Sequence, residues 1–156
     1  YGSPDSAFIT FNIKTIMPYD HLLSVTGSFK AQPTSVLGIG WGTVDWGDYD
    51  NDGDLDLATV GWDPDYNYVA IIYNNTGGVL TDIGAPLVGV ANSSCDWGDY
   101  DGDGDLDLLV AGVDAGNTRI TKLYQNNAGV FVDTGETFQG LDYSSVAWGD
   151  YDNDGC

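Results

Sequence analysis

Glutamate is nearly missing from this chain. Of 24 acidic residues, all but Glu136 are aspartate. Glutamate favours helices, whereas aspartate favours tight turns and short chelating loops. Methionine is confined to Met17 and alanine is infrequent, while glycine reaches 22 of 156 residues. These scarcities argue against a helical protein. Only 4 residues are basic, which leaves a net charge of −20. Such acidity argues against nucleic acid or an anionic membrane surface as a partner, and leaves cations or neutral partners such as sugars. No apolar run of about 18 residues is present, which argues against membrane insertion. Cys95 and Cys156 are the only cysteines, and two alone fix neither a redox compartment nor their own pairing. The single histidine, His21, reads as structural. There is no CxxC, P-loop or HExxH motif. Tyr1 is not an initiator methionine, which marks the chain as processed or excerpted.

What is present is ordered. Hydrophobic residues make up 42% and aromatics 13%, too much for a disordered acidic tail. The chain also repeats itself. Trp46, Trp97 and Trp148 are spaced by 51 residues, as are Gly38, Gly89 and Gly140, and Gly27, Gly78 and Gly129. The same offset relates Tyr73 to Tyr124 and Asn75 to Asn126. Within one unit, 93–99, 106–111, 118–124 and 130–133 read as strands, separated by the turn sequences DGDGD, GVDAGN and NNAG. Four strands in a period near 50 predict an all-β fold of β-propeller blades. The expected organisation is a diverged first blade contributing outer strands (1–37), two full blades (38–88 and 89–139), and an inner strand with a truncated loop (140–156). About three blades would be incomplete as a ring. Segment 12–26 offers no convincing counterpart to the strand before Tyr73, and Pro18 argues against a regular central strand there.

The densest repeated stretches are DWGDYDNDGDLDLATVG (45–61) and DWGDYDGDGDLDLLVAG (96–112). Each contains D-x-D-x-D-G-D-x-D. Carboxylates at positions one, three and five converge when the loop curls, and glycine at six permits the turn. Position seven offers its backbone carbonyl and position nine closes the shell. An all-oxygen donor set of this kind suits Ca²⁺ better than zinc or copper. An EF-hand is excluded, because position twelve is Thr59 or Val110 rather than glutamate, and the flanks read as strands.

WGDYDNDGDLDLATVG and WGDYDGDGDLDLLVAG resemble FG-GAP-type (VCBS-like) repeats, the calcium-binding blades of integrin α-subunit-like β-propellers. The resemblance covers 38–156 well and 1–37 weakly. The GAP element itself is absent, with Val60-Gly61 and Ala111-Gly112 near its place. The resemblance implies a loop joining the innermost strand of a blade to the next strand. It implies one Ca²⁺ site from Asp48, Asp50, Asp52, the carbonyl of Asp54, and Asp56. A second would use Asp99, Asp101, Asp103, the carbonyl of Asp105, and Asp107. Asp150, Asp152 and Asp154 begin a third loop that lacks positions eight and nine.

That truncation admits two expectations. The chain is an excerpt of a longer propeller, or copies of it complete one another, with strand 144–152 filling a neighbour's first blade and Asp5 finishing the metal shell. The family topology also implies ligand contacts on loops opposite the calcium side. Trp41, Trp62, Asp63, Tyr66, Asn92 and Tyr143 lie there. Exposed Trp and Tyr stack on sugars or anchor protein partners, and the competing reading is packing between blades. Trp46, Trp97 and Trp148 are expected in the core. Asn74-Asn75-Thr76 and Asn92-Ser93-Ser94 match glycosylation sequons. The expected role is an extracellular, non-enzymatic module for adhesion, recognition or self-assembly. A carbohydrate-binding propeller and the propeller part of a secreted polysaccharide-processing enzyme are the alternatives.

Overall fold

The computed structural model describes residues 9–15, 23–29 and 36–149, with side chains over 36–149. The chain divides into two units, Tyr1–Thr34 and Ser35–Cys156. In the first, β1 (Ile9–Thr15) and β2 (Leu23–Phe29) pair antiparallel, with Ile9 opposite Phe29 and Thr15 opposite Leu23. Strand residues therefore occur at both ends of segment 12–26, while Pro18 lies outside the described residues.

The second unit is all-β among its described residues. β3 (Gly40–Gly47), β4 (Asp56–Trp62), β5 (Tyr68–Thr76) and β6 (Val79–Asp82) form a four-stranded antiparallel meander. β7 (Val90–Gly98), β8 (Asp107–Asp114), β9 (Arg119–Asn127) and β10 (Val130–Asp133) repeat it. Each meander has the form of a propeller blade. The outer hairpins turn on Gly77-Gly78 (φ 60° and 89°) and Ala128-Gly129 (φ 52° and 88°). Two successive positive φ values give a twist that matches the flanking strands. Asn75 and Asn126 lock these turns by accepting the N–H of Gly78 at 2.9 Å and of Gly129 at 2.7 Å.

β4 and β8 are buried along almost their whole length, which explains the unbroken apolar runs LATV and LLVA. Both faces of such a strand meet neighbouring chain, so strict polar alternation is absent. Ala58, Val60, Ile72, Val90, Leu108, Val110 and Tyr124 form the core, and burying one large side chain contributes about 1.5–3 kcal/mol.

The blades are joined by a device that recurs at the repeat interval. Thr43 Oγ1 accepts the Cys95 N–H at 3.1 Å, and Ser94 Oγ accepts the Val146 N–H at 2.9 Å. Asp45 Oδ2 accepts the Trp97 N–H at 3.0 Å, and Asp96 Oδ2 accepts that of Trp148 at 2.6 Å. Each Trp ring lies over a glycine of the preceding blade. A Cβ on Gly47 would sit 2.8 Å from Trp97, and one on Gly98 would sit 2.4 Å from Trp148. Tyr49 stacks on Trp97 (6.1 Å, 14°), and Phe131 closes over both.

Two expectations are corrected here. Trp46 is not a core residue: it is 50% exposed, against 8% for Trp97, which lies over Gly47 and stacks on Tyr49 of the blade before it. The expected strand 144–152 is also not a strand over 144–149. Leu141 makes an isolated bridge to Ile120, the Tyr143 N–H donates to the Asn92 carbonyl at 2.9 Å, and beyond that the Ser94 and Asp96 side chains hold the backbone. Cys95 is buried without a disulfide, and Cys156 lies outside the described residues.

Candidate metal centres

Each acidic loop leaves the inner strand of a blade and returns as the next strand, so its ends are pinned by a ladder. Gly47 opposes Asp56, and Gly98 opposes Asp107. Inside the first loop the position-one carboxylate folds the chain round itself. Asp48 accepts the N–H of Asp52 at 3.0 Å and of Gly53 at 3.0 Å. In the second loop Asp99 accepts the N–H of Asp103 at 3.2 Å and of Gly104 at 3.0 Å. Gly53 and Gly104 both have φ 94°, in the region that disfavours any side chain.

The curl brings carboxylates together. Asp48, Asp50 and Asp52 each place an oxygen within 4.8 Å of the others, as do Asp99, Asp101 and Asp107. Asp54 and Asp105 turn their side chains elsewhere. Asp54 Oδ2 accepts the Gly77 N–H at 2.8 Å, and Asp105 Oδ1 accepts from Asn51 Nδ2 at 3.0 Å. That leaves their main-chain carbonyls as the groups available to a bound ion. Asp103 stays in its loop, where its Oδ1 accepts the Asp105 N–H at 2.9 Å.

Asp56 and Asp107 are fully buried clamps. Asp56 accepts the N–H of Tyr49 at 3.1 Å and of Asn75 at 2.8 Å. Asp107 does the same for Tyr100 at 2.7 Å and Asn126 at 2.7 Å. Burial pushes both carboxyls above the ordinary range, the two N–H donors pull them down, and the neighbouring loop carboxylates push them up again. A bound cation would reverse this penalty.

Sequence reasoning missed the amides. Asn74 Nδ2 donates to Asp50 Oδ2 at 2.7 Å, and Gln125 Nε2 donates to Asp101 Oδ2. They occupy the same repeat position, but one is Asn and the other Gln, so identity matching overlooks them. Asn51 also escaped notice, although its amide bridges the first loop to the Gly104 carbonyl of the second at 3.2 Å. Asp150, Asp152 and Asp154 lie outside the described residues.

No cation of the protein offsets these loops among the described side chains. Arg119 pairs with Asp142 at 2.8 Å and Lys122 pairs with Asp133. An all-oxygen group of three carboxylates without a basic partner has the chemistry to hold a hard divalent ion.

The FG-GAP-like repeat profile matches residues 48–110 and again 99–156, more than two thirds of the chain. The chain belongs to the FG-GAP-like repeat family. Each FG-GAP-like match opens on position one of an acidic loop, Asp48 or Asp99. FG-GAP repeats often bind Ca²⁺, and both complete loops of this member hold acidic clusters that could take a metal. No curated protein and no solved structure gives a significant match.

The six residues expected on the opposite face fall into two groups. Trp41, Trp62, Asp63 and Tyr66 line one cavity, and Trp41, Asn92 and Tyr143 line another.

Proposed function

We propose that this chain is an extracellular, non-catalytic β-propeller repeat module, stabilised by Ca²⁺, that serves adhesion, recognition or self-assembly. The observation that carries it is the recurrence of one carboxylate loop, with the same curl and no basic partner among the described residues, 51 residues apart. One ion would be held by Asp48, Asp50, Asp52, Asp56 and the Asp54 carbonyl, the other by Asp99, Asp101, Asp103, Asp107 and the Asp105 carbonyl. Bound Ca²⁺ supplies charge neutralisation and a cross-link between the strands each loop joins. Because an ion bound by the folded loop is lost on unfolding, its binding energy becomes stability. At a free ion concentration a hundred times Kd, each site contributes roughly 2.7 kcal/mol. The extracellular placement is supported by the family's usual setting, and among the described residues no helix is long and apolar enough to cross a membrane. Scanning calorimetry in Ca²⁺ and then in chelator tests the reading. Two sites should raise the melting temperature by about 10–20 °C. An unchanged melt would remove calcium from the account.

One observation favours the self-assembly part of this reading. Among the described residues nothing lies within 4 Å of a Cβ built on Gly149, whereas Gly47 and Gly98 each receive a Trp ring, and Trp46 is half exposed where Trp97 is buried. In a self-assembled form, Trp46 of one copy would take the place over Gly149 of another that Trp97 takes over Gly47. Ala147 stands where Asp45 and Asp96 accept a Trp N–H, but the Trp46 N–H is already bonded to its own Asp45 at 3.0 Å. Light scattering in Ca²⁺ should find more than one chain per particle, and fewer in Trp46→Ala. A stable monomer at every concentration would sink this part.

A further inference from the structure

The inner strands carry a bulge at the end opposite the acidic loops. The register slips between Gly40 and Thr43 and between Ala91 and Ser94. The bulge residue adopts a left-handed backbone each time: Trp41 (φ 52°), Asn92 (φ 48°) and, one repeat later, Tyr143 (φ 49°). The β4–β5 and β8–β9 turns do likewise with Tyr66 (φ 64°) and Asn117 (φ 59°). Asparagine tolerates this conformation, whereas a bulky aromatic is strained in it. At these positions the fold therefore accepts Asn, yet it carries Trp41, Tyr66 and Tyr143. All three rings are largely exposed, at 64%, 76% and 73%. Strain combined with exposure is not what core packing selects.

The rings are also grouped. Trp41 lies 6.3 Å from Trp62 and 6.4 Å from Tyr143, and Trp62 lies 6.1 Å from Tyr66. Two cavities flank Trp41, of about 340 Å³ toward Trp62 and Tyr66 and about 230 Å³ toward Asn92 and Tyr143. Together they reach the size of a small-ligand site, about 300–1,000 Å³. Unused polar atoms sit beside the rings. Ser93 Oγ and Ser144 Oγ, which line the smaller cavity, and Trp62 Nε1 in the larger are buried without a hydrogen-bond partner. Ser93 is itself only 7% exposed. These three atoms have almost no open surface, whereas the Asn92 amide is only half-buried on the wall of the smaller cavity and is open to a ligand.

We propose that this face binds a neutral oligosaccharide, with pyranose rings stacked on Trp41 and its aromatic neighbours and sugar hydroxyls bonded to the Asn92 amide on the wall of the smaller cavity. The ligand combines apolar C–H faces with hydroxyls, which suits exposed rings beside an accessible amide. The net charge of −20 disfavours an acidic or sulfated glycan. Two cavities in a row select an oligomer over a monosaccharide. This inference rests on the recognition role proposed above and names its ligand class.

Titration calorimetry and tryptophan fluorescence in Ca²⁺ would use neutral tetrasaccharides of β-linked glucose, N-acetylglucosamine, mannose and xylose, with a sulfated tetrasaccharide as control. At least one neutral member should bind saturably, and the sulfated one should not. Trp41→Gly and Tyr143→Gly should each weaken binding by about tenfold or more. Because glycine suits a left-handed backbone, neither variant should lower the melting temperature. Phe138→Ala, outside both cavities, should change nothing. Absence of saturable binding, or binding indifferent to both glycine variants, would overturn the proposal. So would a melting temperature that falls in the variants, since the rings would then be structural. The unsubstituted protein's melt in Ca²⁺ and chelator separates failure here from failure of the calcium reading.

Discussion

Replacing Asn126 by alanine should destabilise the fold far more than the same change at Asn75, its partner one repeat earlier. Asn126 Nδ2 donates to the Tyr49 carbonyl at 2.8 Å and to the Leu106 carbonyl at 3.2 Å, and its Oδ1 accepts the Gly129 N–H at 2.7 Å. The side chain is fully buried, so Asn126→Ala strips three polar groups that water cannot easily reach. A buried group left without a partner costs about 1–3 kcal/mol, and about 1–1.7 for each of the three gives a loss of about 3–5 kcal/mol. Asn75 donates to the Leu55 carbonyl at 2.8 Å and accepts from Gly78 at 2.9 Å, in a partly exposed setting and, among the described residues, within its own blade. There water replaces much of what is lost, and about 1–2 kcal/mol is expected. Urea titrations in saturating Ca²⁺ measure both, with an unchanged m-value showing that only stability moved. At about 2–4 °C per kcal/mol, the melting temperatures of the two variants should differ by about 5–10 °C. Equal losses would refute the claim that the Asn126 bond to the Tyr49 carbonyl ties one blade to the next.

Two further outcomes follow from the same contacts. Gly47→Ala should cost about 2 kcal/mol or more, because its methyl would meet the Trp97 ring at 2.8 Å, and the loss should be visible in the same urea assay. The metal-free chain should gain thermal stability as pH falls from neutral toward the ordinary carboxylate range. Burial raises the carboxyls of Asp56 and Asp107 above their ordinary 3.8, so the folded state holds protons more tightly there than the unfolded one. Their contribution is fully present below the unfolded value and is lost as pH rises through the folded one. Acidification also relaxes the repulsion of the −20 charge, which acts in the same direction. Calorimetry in chelator that shows a falling melting temperature over this range would contradict it.

The blade plan was legible because it rests on local chemistry. The turn residues, the apolar runs of β4 and β8 and the 51-residue offset all lie along the chain. The curl of the acidic loops was legible for the same reason, since Asp48 and Gly53 act on their own neighbours. Trp46 was misread because its burial depends on a blade beside it rather than on its own sequence, which matches that of Trp97. Residues 144–149 were misread as a strand because a ladder needs a partner that the sequence pattern does not name. The left-handed backbone at Trp41 and Tyr143 was hidden as well, since glycine or asparagine signals such positions and an aromatic conceals them. The amide donors Asn74 and Gln125 act across the blade, from β5 and β9 onto the loops, and no linear motif links them.

Calorimetric titration of Ca²⁺ into the metal-free chain asks directly whether each complete acidic loop holds one ion. Binding should be saturable, with loss of one ion per chain in Asp50→Ala/Asp52→Ala, loss of one ion in Asp101→Ala/Asp107→Ala, and much weaker heats with Mg²⁺. Absence of binding at millimolar Ca²⁺, or a stoichiometry that neither double variant changes, would contradict it.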